Sequence, residues 1–377
     1  MAESKDAGAS ANAEAKESKN TDNIDDMSDD DGVGKVLILG GCGFIGRHLI
    51  KYFLDTNKFK MIYVSDKLIP QTSYMTSEQI KMFKKDNVKL IQSDLSKDIH
   101  IKKVFKYNVQ YIINLCGETR FGQTDNDYKL KCLITAQKCI DAALKMKTLI
   151  KWIEISSAQV YLPDKKPVNE SGKTEPFTKV AQYRFMVEQE LKKTKLKYVI
   201  LRPSIVYGPG DKSGISPRLI CAICYKHAKQ KMTFLWTPNL AINTVHVWDL
   251  CNAIYLAMNK GKLGSIYNVS DEGNTTQGSF NKLLESVFKI DTAFYGKVFN
   301  KIAKAAMATA AQQANDTHVP MWSDVQKTYN ITQTPLSPYM DQEILTKNYL
   351  CINGKKICKE LGFKYKFPKI NEHLIWE

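Results

Sequence analysis

Residues 34–66 read GKVLILGGCGFIGRHLIKYFLDTNKFKMIYVSD. A short apolar run, Val36 to Leu39, stops at glycines 40, 41, 43 and 46. Phe44, Ile45, Leu49, Phe53 and Leu54 then follow an amphipathic helix pattern, and a second apolar run, Met61 to Val64, ends at Asp66. A strand, a glycine turn, a helix and a strand in that order form the unit that holds a dinucleotide. The glycines meet separate needs: a tight turn, close approach of a pyrophosphate to the backbone, and close packing of the helix on the strand. The start of the helix offers unpaired N–H groups and the positive end of its dipole to phosphate. Asp66, twenty residues after Gly46, stands where a carboxylate accepts hydrogen bonds from the adenosine ribose, which favours NAD over NADP. Lys67 beside it keeps NADP as the alternative. A glycine pattern alone says little. Here the strand before it, the helix after it and the acid at the right distance agree.

The remaining composition is that of an ordinary soluble protein. Of 377 residues, 44% are hydrophobic and 25% charged, enough for a large domain, a smaller lobe and ample core. No apolar run approaches the roughly 20 residues needed to cross a bilayer. The N-terminus has neither a signal-peptide nor a basic transit pattern, so the cytoplasm is the expected location, with no membrane partner. Residues 1–34 have almost no bulky apolar side chains and read as a disordered acidic tail, with Ser28 in the setting of an acid-directed phosphorylation site. Three lysines against ten acids give the tail −7; the chain as a whole carries +15, so the body carries about +22. The lysines are spread out and no nucleic-acid-binding motif accompanies them, so they read as solvated faces rather than a nucleic-acid surface. The nine cysteines fit a reducing compartment. Cys221, Cys224 and His227 share a helix-like segment without a fourth ligand and read as a buried face, so no metal is expected.

After Asp66, strands and helices keep alternating. Val88 to Gln92 reads as a third strand with Asp94 just beyond it, where a carboxylate reaches the adenine amino group. Tyr111 to Leu115 reads as a fourth, running into Cys116 and Gly117, and a helix pattern covers about Asn126 to Met146. Trp152 to Ile155 reads as a fifth, ending at Ser156-Ser157; a helix over 178–193 leads to a sixth, Tyr198 to Leu201, before Arg202-Pro203. The pattern predicts an α/β fold, a Rossmann-type doubly wound parallel sheet with ligands at the carboxyl ends of its strands. Residues 35–207 form its main part, completed by strands near 242–247 and 265–269. Residues 208–377 form a smaller C-terminal substrate lobe and docking segment, with helices at 214–230, 248–260, 277–288 and 296–313. Arg218, Trp236 and Trp322 are pocket candidates there.

These motifs in this order resemble the NAD-dependent epimerase/dehydratase family of extended short-chain dehydrogenases/reductases. GGCGFIG is similar to its cofactor turn, NLCG to its fourth-strand motif and SSAQVY to its serine-bearing strand end. LRPSIVYGPGD is similar to the segment closing over the nicotinamide, TVHVWDLCNAI and IYNVSD to elements beyond it, and LCINGKKICKELGF to the C-terminal docking segment. The resemblance implies cofactor contacts at Gly40, Gly43, Phe44, Ile45, Gly46, Asp66, Asp94, Leu95, Cys116, Gly117, Arg184 and Pro203. It implies a small-molecule substrate, a nucleotide sugar or a steroid- or flavonoid-like compound, with Ser157 bonding a substrate oxygen. A homodimer is the expected assembly.

The chemistry departs from the family. There a tyrosine, with a lysine four residues later, acts as acid and base on the hydroxyl being oxidised, and the lysine lowers the tyrosine's pKa. Alignment through MVEQEL puts these positions at Val180 and Arg184. Cys132 stands where an asparagine is common, Ala158-Gln159 where dehydratases carry Asp-Glu, and no asparagine follows Arg202-Pro203. Tyr183, one helical turn after Val180, is the candidate replacement acid, with a packed aromatic as the plainer reading. Glu118, Tyr161 and His246 lie near strand ends. The catalytic candidates are therefore Ser157, Tyr183 and Arg184. Two functions stay open: a divergent NAD-dependent oxidoreductase with a displaced acid/base, or a non-catalytic NAD(P)-binding structural or redox-sensing protein. A scaffold that binds no cofactor would need an occluded glycine turn, of which the sequence has no sign.

Overall fold

Strands buried on both faces need near-continuous apolar runs, and KVLIL, YIIN and WIEI supply them. The computed structural model describes residues 34–376, so Ser28 and nearly all of the acidic tail lie outside the described residues. In chain order come β1 (Lys35–Leu39), α1 (Phe44–Asp55), β2 (Met61–Asp66), α2 (Ser77–Met82), β3 (Val88–Gln92), α3 (Asp98–Val104) and β4 (Tyr111–Asn114). Next are α4 (Asp125–Tyr128), α5 (Thr135–Ala143), β5 (Lys151–Ile155), α6 (Lys179–Lys192), β6 (Tyr198–Pro203) and β7 (Ile205–Tyr207). Then follow α7 (Ser216–His227), β8 (Met232–Phe234), β9 (Thr244–His246), α8 (Val247–Lys260) and β10 (Ile266–Val269). After these come α9 (Gln277–Phe288), β11 (Thr292–Phe294), α10 (Lys297–Ala305) and α11 (Met307–Thr328), and the short helices α12 (Gln342–Leu345), α13 (Lys355–Leu361) and α14 (Glu372–Trp376) are last.

Seven parallel strands form the sheet in the order β10-β6-β5-β4-β1-β2-β3. Strand order reverses between β1 and β4, with Val36 facing both Ile62 and Tyr111, and ligands of such sheets sit outside the carboxyl ends at that reversal. Val36, Ile38, Leu49, Phe53, Ile62 and Val64 pack α1 against β1 and β2. β5 is fastened at its start by Lys151, whose Nζ donates to the carbonyls of Ala257, Met258 and Gly261 at the end of α8. A cation at a helix C-terminus satisfies orphan carbonyls and meets the negative end of the dipole.

The strand expected near 242–247 is β9, which pairs with β7 in a two-stranded sheet of its own, while β10 joins the main sheet. Between Tyr128 and Thr135 the helix widens into a π-helical stretch over Lys129–Ile134, and Thr135 Oγ1 donates back to the Leu130 carbonyl at 2.8 Å. The helix expected over 296–313 is two helices, because Ala306 leaves helical geometry with φ −133° and ψ 56°. A second core, including Tyr207, Met232, Phe234, Phe280 and Leu284, lies apart from the core that packs α1 on the sheet. No helix among the described residues is long and apolar enough to cross a membrane.

Candidate active site

The glycine turn is shaped for close approach. Gly40 has φ +83°, which L side chains rarely adopt, and its N–H donates to the Ser65 carbonyl at 2.8 Å. A Cβ on Gly46 would stand 2.6 Å from the Gly41 Cα, so only glycine lets α1 pack down on the turn. A Cβ on Gly43 would meet nothing nearer than the Gly40 carbonyl oxygen at 3.2 Å, which leaves the approach to the helix start open. Gly43 stands as the N-cap of α1 and supplies no side-chain cap, so the first N–H groups of the helix have no side-chain partner from it, as a phosphate site requires. Phe44 and Ile45 lie half-buried beside the turn.

Two carboxylates flank this turn. Asp66 ends β2 and accepts the Cys42 N–H at 2.8 Å and the Leu68 N–H at 2.9 Å; burial pushes its carboxyl up, and those bonds pull against the rise. Asp94 follows β3 and accepts from Ser96 Oγ at 2.7 Å. Burial works to raise the Asp94 carboxyl, yet the Ser96 bonds with Lys67 and Lys97 hold it below the usual range. Leu95 turns into the core beside Leu37 and Leu39. The residues present fit a dinucleotide: a cradle that a Cβ would fill, an uncapped helix start and an acid at the end of β2 that accepts an N–H of the turn.

The surroundings of Arg184 differ. Arg184 sends Nη1 to the Cys116 carbonyl at 2.5 Å, and a Cβ on Gly117 (φ +138°) would lie 3.0 Å from its Nη2. Beneath it is Glu154 of β5, with no exposed surface, whose oxygens accept Asn114 Nδ2 at 3.1 and 2.9 Å and Trp152 Nε1 at 3.0 Å. Burial pushes the Glu154 carboxyl up to about 7, against the lowering effects of Arg184, Asn114 and Trp152. Val180 packs with Met186 and Leu133 on a cluster of Tyr128, Cys132 and Tyr183. Tyr183 stacks on Tyr128 with centroids 5.6 Å apart and donates its hydroxyl to the Asp125 carbonyl at 3.1 Å. Burial and then the Asp125 charge raise its pKa, opposite to the lowering a proton-donating tyrosine needs near neutrality. Cys132 Sγ accepts the Glu118 N–H, and Glu118 itself is held to about 2, chiefly by Arg120. Ser157 Oγ accepts the Gln159 N–H at 3.1 Å.

Residues around the cleft are fastened too. Arg202 forks onto Glu188 with bonds of 2.9 and 2.5 Å under Tyr161, a fully buried pair directly before Pro203. His246 is buried between Tyr207 and Phe367, and burial lowers its pKa to about 4. Trp236 donates to the Leu345 carbonyl, and Trp322 packs with Ile220, Cys224 and Val325, so both belong to the core. Arg218 lies near Asp211 and Cys221, and burial lowers its pKa. Among the described residues no three or more His, Cys, Asp or Glu side chains converge as a metal site.

The sequence reading missed Glu154 and Arg47. An acid in the apolar run WIEI was the available signal for the first. Arg47, directly after Gly46, is buried and donates Nη2 to the Gly210 carbonyl at 2.9 Å and Nη1 to the Tyr74 carbonyl at 3.3 Å. It ties the cofactor helix to the loops after β2 and β7.

The NAD dependent epimerase/dehydratase family matches residues 36–270. A dTDP-D-glucose 4,6-dehydratase of Dictyostelium discoideum is 27% identical over 65% of this chain and 60% of its own length. A decarboxylating sterol-4-alpha-carboxylate 3-dehydrogenase of Saccharomyces cerevisiae is 25% identical over 48% of this chain and 53% of its own. Among solved structures, UDP-glucuronic acid 4-epimerase of Bacillus cereus, in complex with UDP-glucuronic acid and NAD, superposes with TM-score 0.65 at 16% identity, covering 90% of this chain and 95% of that one. The dTDP-glucose 4,6-dehydratase of Bacillus anthracis in complex with NAD gives TM-score 0.64 at 17% identity, covering 91% and 96%.

Proposed function

The chain belongs to the NAD-dependent epimerase/dehydratase family, and from that premise we propose that it binds NAD across the β1–β4 reversal as a retained ligand, without the family's tyrosine-mediated proton transfer. Gly40, Gly43 and Gly46 with the start of α1 would hold the pyrophosphate, Asp66 the adenosine ribose and Asp94 the adenine. Bound NAD supplies a hydride acceptor. Among the described residues, Val180 at the tyrosine position has no group to take the hydroxyl proton.

The observation that carries this reading is the engagement of Arg184. Its guanidinium bonds the Cys116 carbonyl and lies 4.0 Å from the Glu154 carboxylate. The position that tunes a tyrosine in the family is here spent on holding β4 and β5, and its would-be partner is an apolar valine. Tyr183 is an unfavourable substitute, since its hydroxyl is already given to Asp125.

A second reading, a divergent oxidoreductase acting on a nucleotide sugar or a steroid-like hydroxyl, draws on Ser157. Its oxygen accepts from Gln159, which leaves its own proton free for a substrate oxygen.

The test is to purify the protein, denature it and identify the released nucleotide, beside an Asp66→Ala variant. The expected result is NAD from the wild type, none from the variant, and no change in nicotinamide absorbance with nucleotide sugars or hydroxysteroids. Turnover lost in Ser157→Ala would establish the second reading. Absence of any nucleotide would sink both.

A further inference from the structure

Apolar surface without cover gathers at Tyr295 and α10. Val298 is 77% exposed, Ile302 62%, Phe299 42% and Tyr295 39%. The helix is held from its other side. Asn300 Oδ1 accepts the Trp236 N–H at 2.9 Å, its Nδ2 donates to the Tyr295 carbonyl at 3.0 Å, and Ala303 is 3% exposed. At about 100° per residue, Val298 and Ile302 point away from that anchored side. Lys297, Lys301 and Lys304 line one flank, and the stacked rings of Tyr295 and Phe299, 4.1 Å apart, lie on the other. None of the three lysines makes a hydrogen bond or ion pair among the described residues. No acid occurs between Asp291 and Asp316.

We propose that α10 docks the protein on an anionic membrane surface. Val298, Ile302 and Phe299 enter the boundary between headgroups and acyl chains, and Lys297, Lys301 and Lys304 meet the headgroup charge. A helix too short to span is suited to lie flat in that boundary, with apolar residues inward and basic residues at the headgroups. The anchoring through Asn300 forms the helix before it meets the bilayer, so binding does not bear the ordering cost of a disordered segment. Charge selects this occupant over a second copy of the chain. A two-fold interface sets the same patch against itself, and three unneutralised lysines would face three more with no acid in the segment to pair them.

The test uses the full chain sedimented with vesicles of phosphatidylcholine alone or mixed with phosphatidylserine. Binding is expected to the mixed vesicles only, and to weaken as salt rises. The double variant Lys301→Gln/Lys304→Gln should lower partitioning on the order of 30-fold. Val298→Ser/Ile302→Ser should lower it about tenfold or more. Unchanged thermal midpoints will show that these exposed substitutions leave the fold intact. The proposal is overturned if mixed vesicles are not bound, or if both double variants bind like the wild type. It is equally overturned if light scattering finds a dimer that Val298→Ser/Ile302→Ser converts to monomer.

Discussion

The guanidinium of Arg184 stands 4.0 Å from the carboxylate of Glu154, which has no exposed surface and is also bonded by Asn114 and Trp152. The strand that carries the family's serine is thereby joined to the helix that carries its lysine position. Both members are foreign to proton transfer from a tyrosine.

Glu154 should leave a mark on stability against pH. Its folded pKa of about 7 lies above the ordinary carboxylate value. The folded state therefore holds a proton that the unfolded chain has released. Its contribution is full below about pH 4.5 and is lost as pH rises to about 7. Glu154→Gln should flatten that fall, which is on the order of 3 kcal/mol at most. Denaturant midpoints of both proteins at acid and slightly alkaline pH check it; parallel curves would refute it. Asp271, also raised to about 7 by burial, contributes with the same sign in both proteins and cancels in the comparison.

Tyr183→Phe removes one hydroxyl bond to Asp125 and leaves the stacking on Tyr128. A cost of about 1 kcal/mol in stability is expected, with no change in bound nucleotide. A loss of turnover without a loss of stability would instead identify Tyr183 as the acid.

Gly46→Ala puts a methyl 2.6 Å from the Gly41 Cα and 2.7 Å from the Gly40 carbonyl oxygen, where backbone must move. Destabilisation of about 1–3 kcal/mol is expected, together with loss of co-purifying nucleotide. Retention of nucleotide at wild-type occupancy would show that the turn does not form the phosphate site.

Glu188→Ala leaves Arg202 as an uncompensated buried cation, which typically costs about 3–5 kcal/mol. Replacing both, as Glu188→Leu/Arg202→Met, should recover much of that loss. Urea unfolding of the single and double variants measures the difference.

The first strand–turn–helix–strand was legible because glycine punctuation and two apolar periods are local properties of the chain. The place of Asp66 at the end of β2 was legible for the same reason, as a residue at a fixed distance. The destination of a side chain was not. Helical spacing brings Tyr183 near the face of Val180, but whether its hydroxyl meets the cleft or Asp125 depends on α4, more than fifty residues earlier. The break at Ala306 was hidden because an alanine-rich run favours helix throughout. The strand near 242–247 has ordinary strand composition, and its pairing with β7 rather than the main sheet is set by the path of the chain after β6. Glu154 was passed over because a single acid does not disturb the apolar pattern of a strand; only the neighbouring amide and guanidinium give it a setting.

Arg47 makes its two bonds to main-chain oxygens, of Tyr74 and of Gly210. A grip on carbonyls is indifferent to side-chain identity, so what restricts position 74 is its own backbone, at φ +53°, a region that few L side chains adopt. Gly210 is restricted twice, since it has φ +82° and a Cβ there would stand 3.0 Å from the guanidinium. Of the three segments joined here, one is fixed by an arginine, one by the absence of a side chain, and the third by a left-handed backbone.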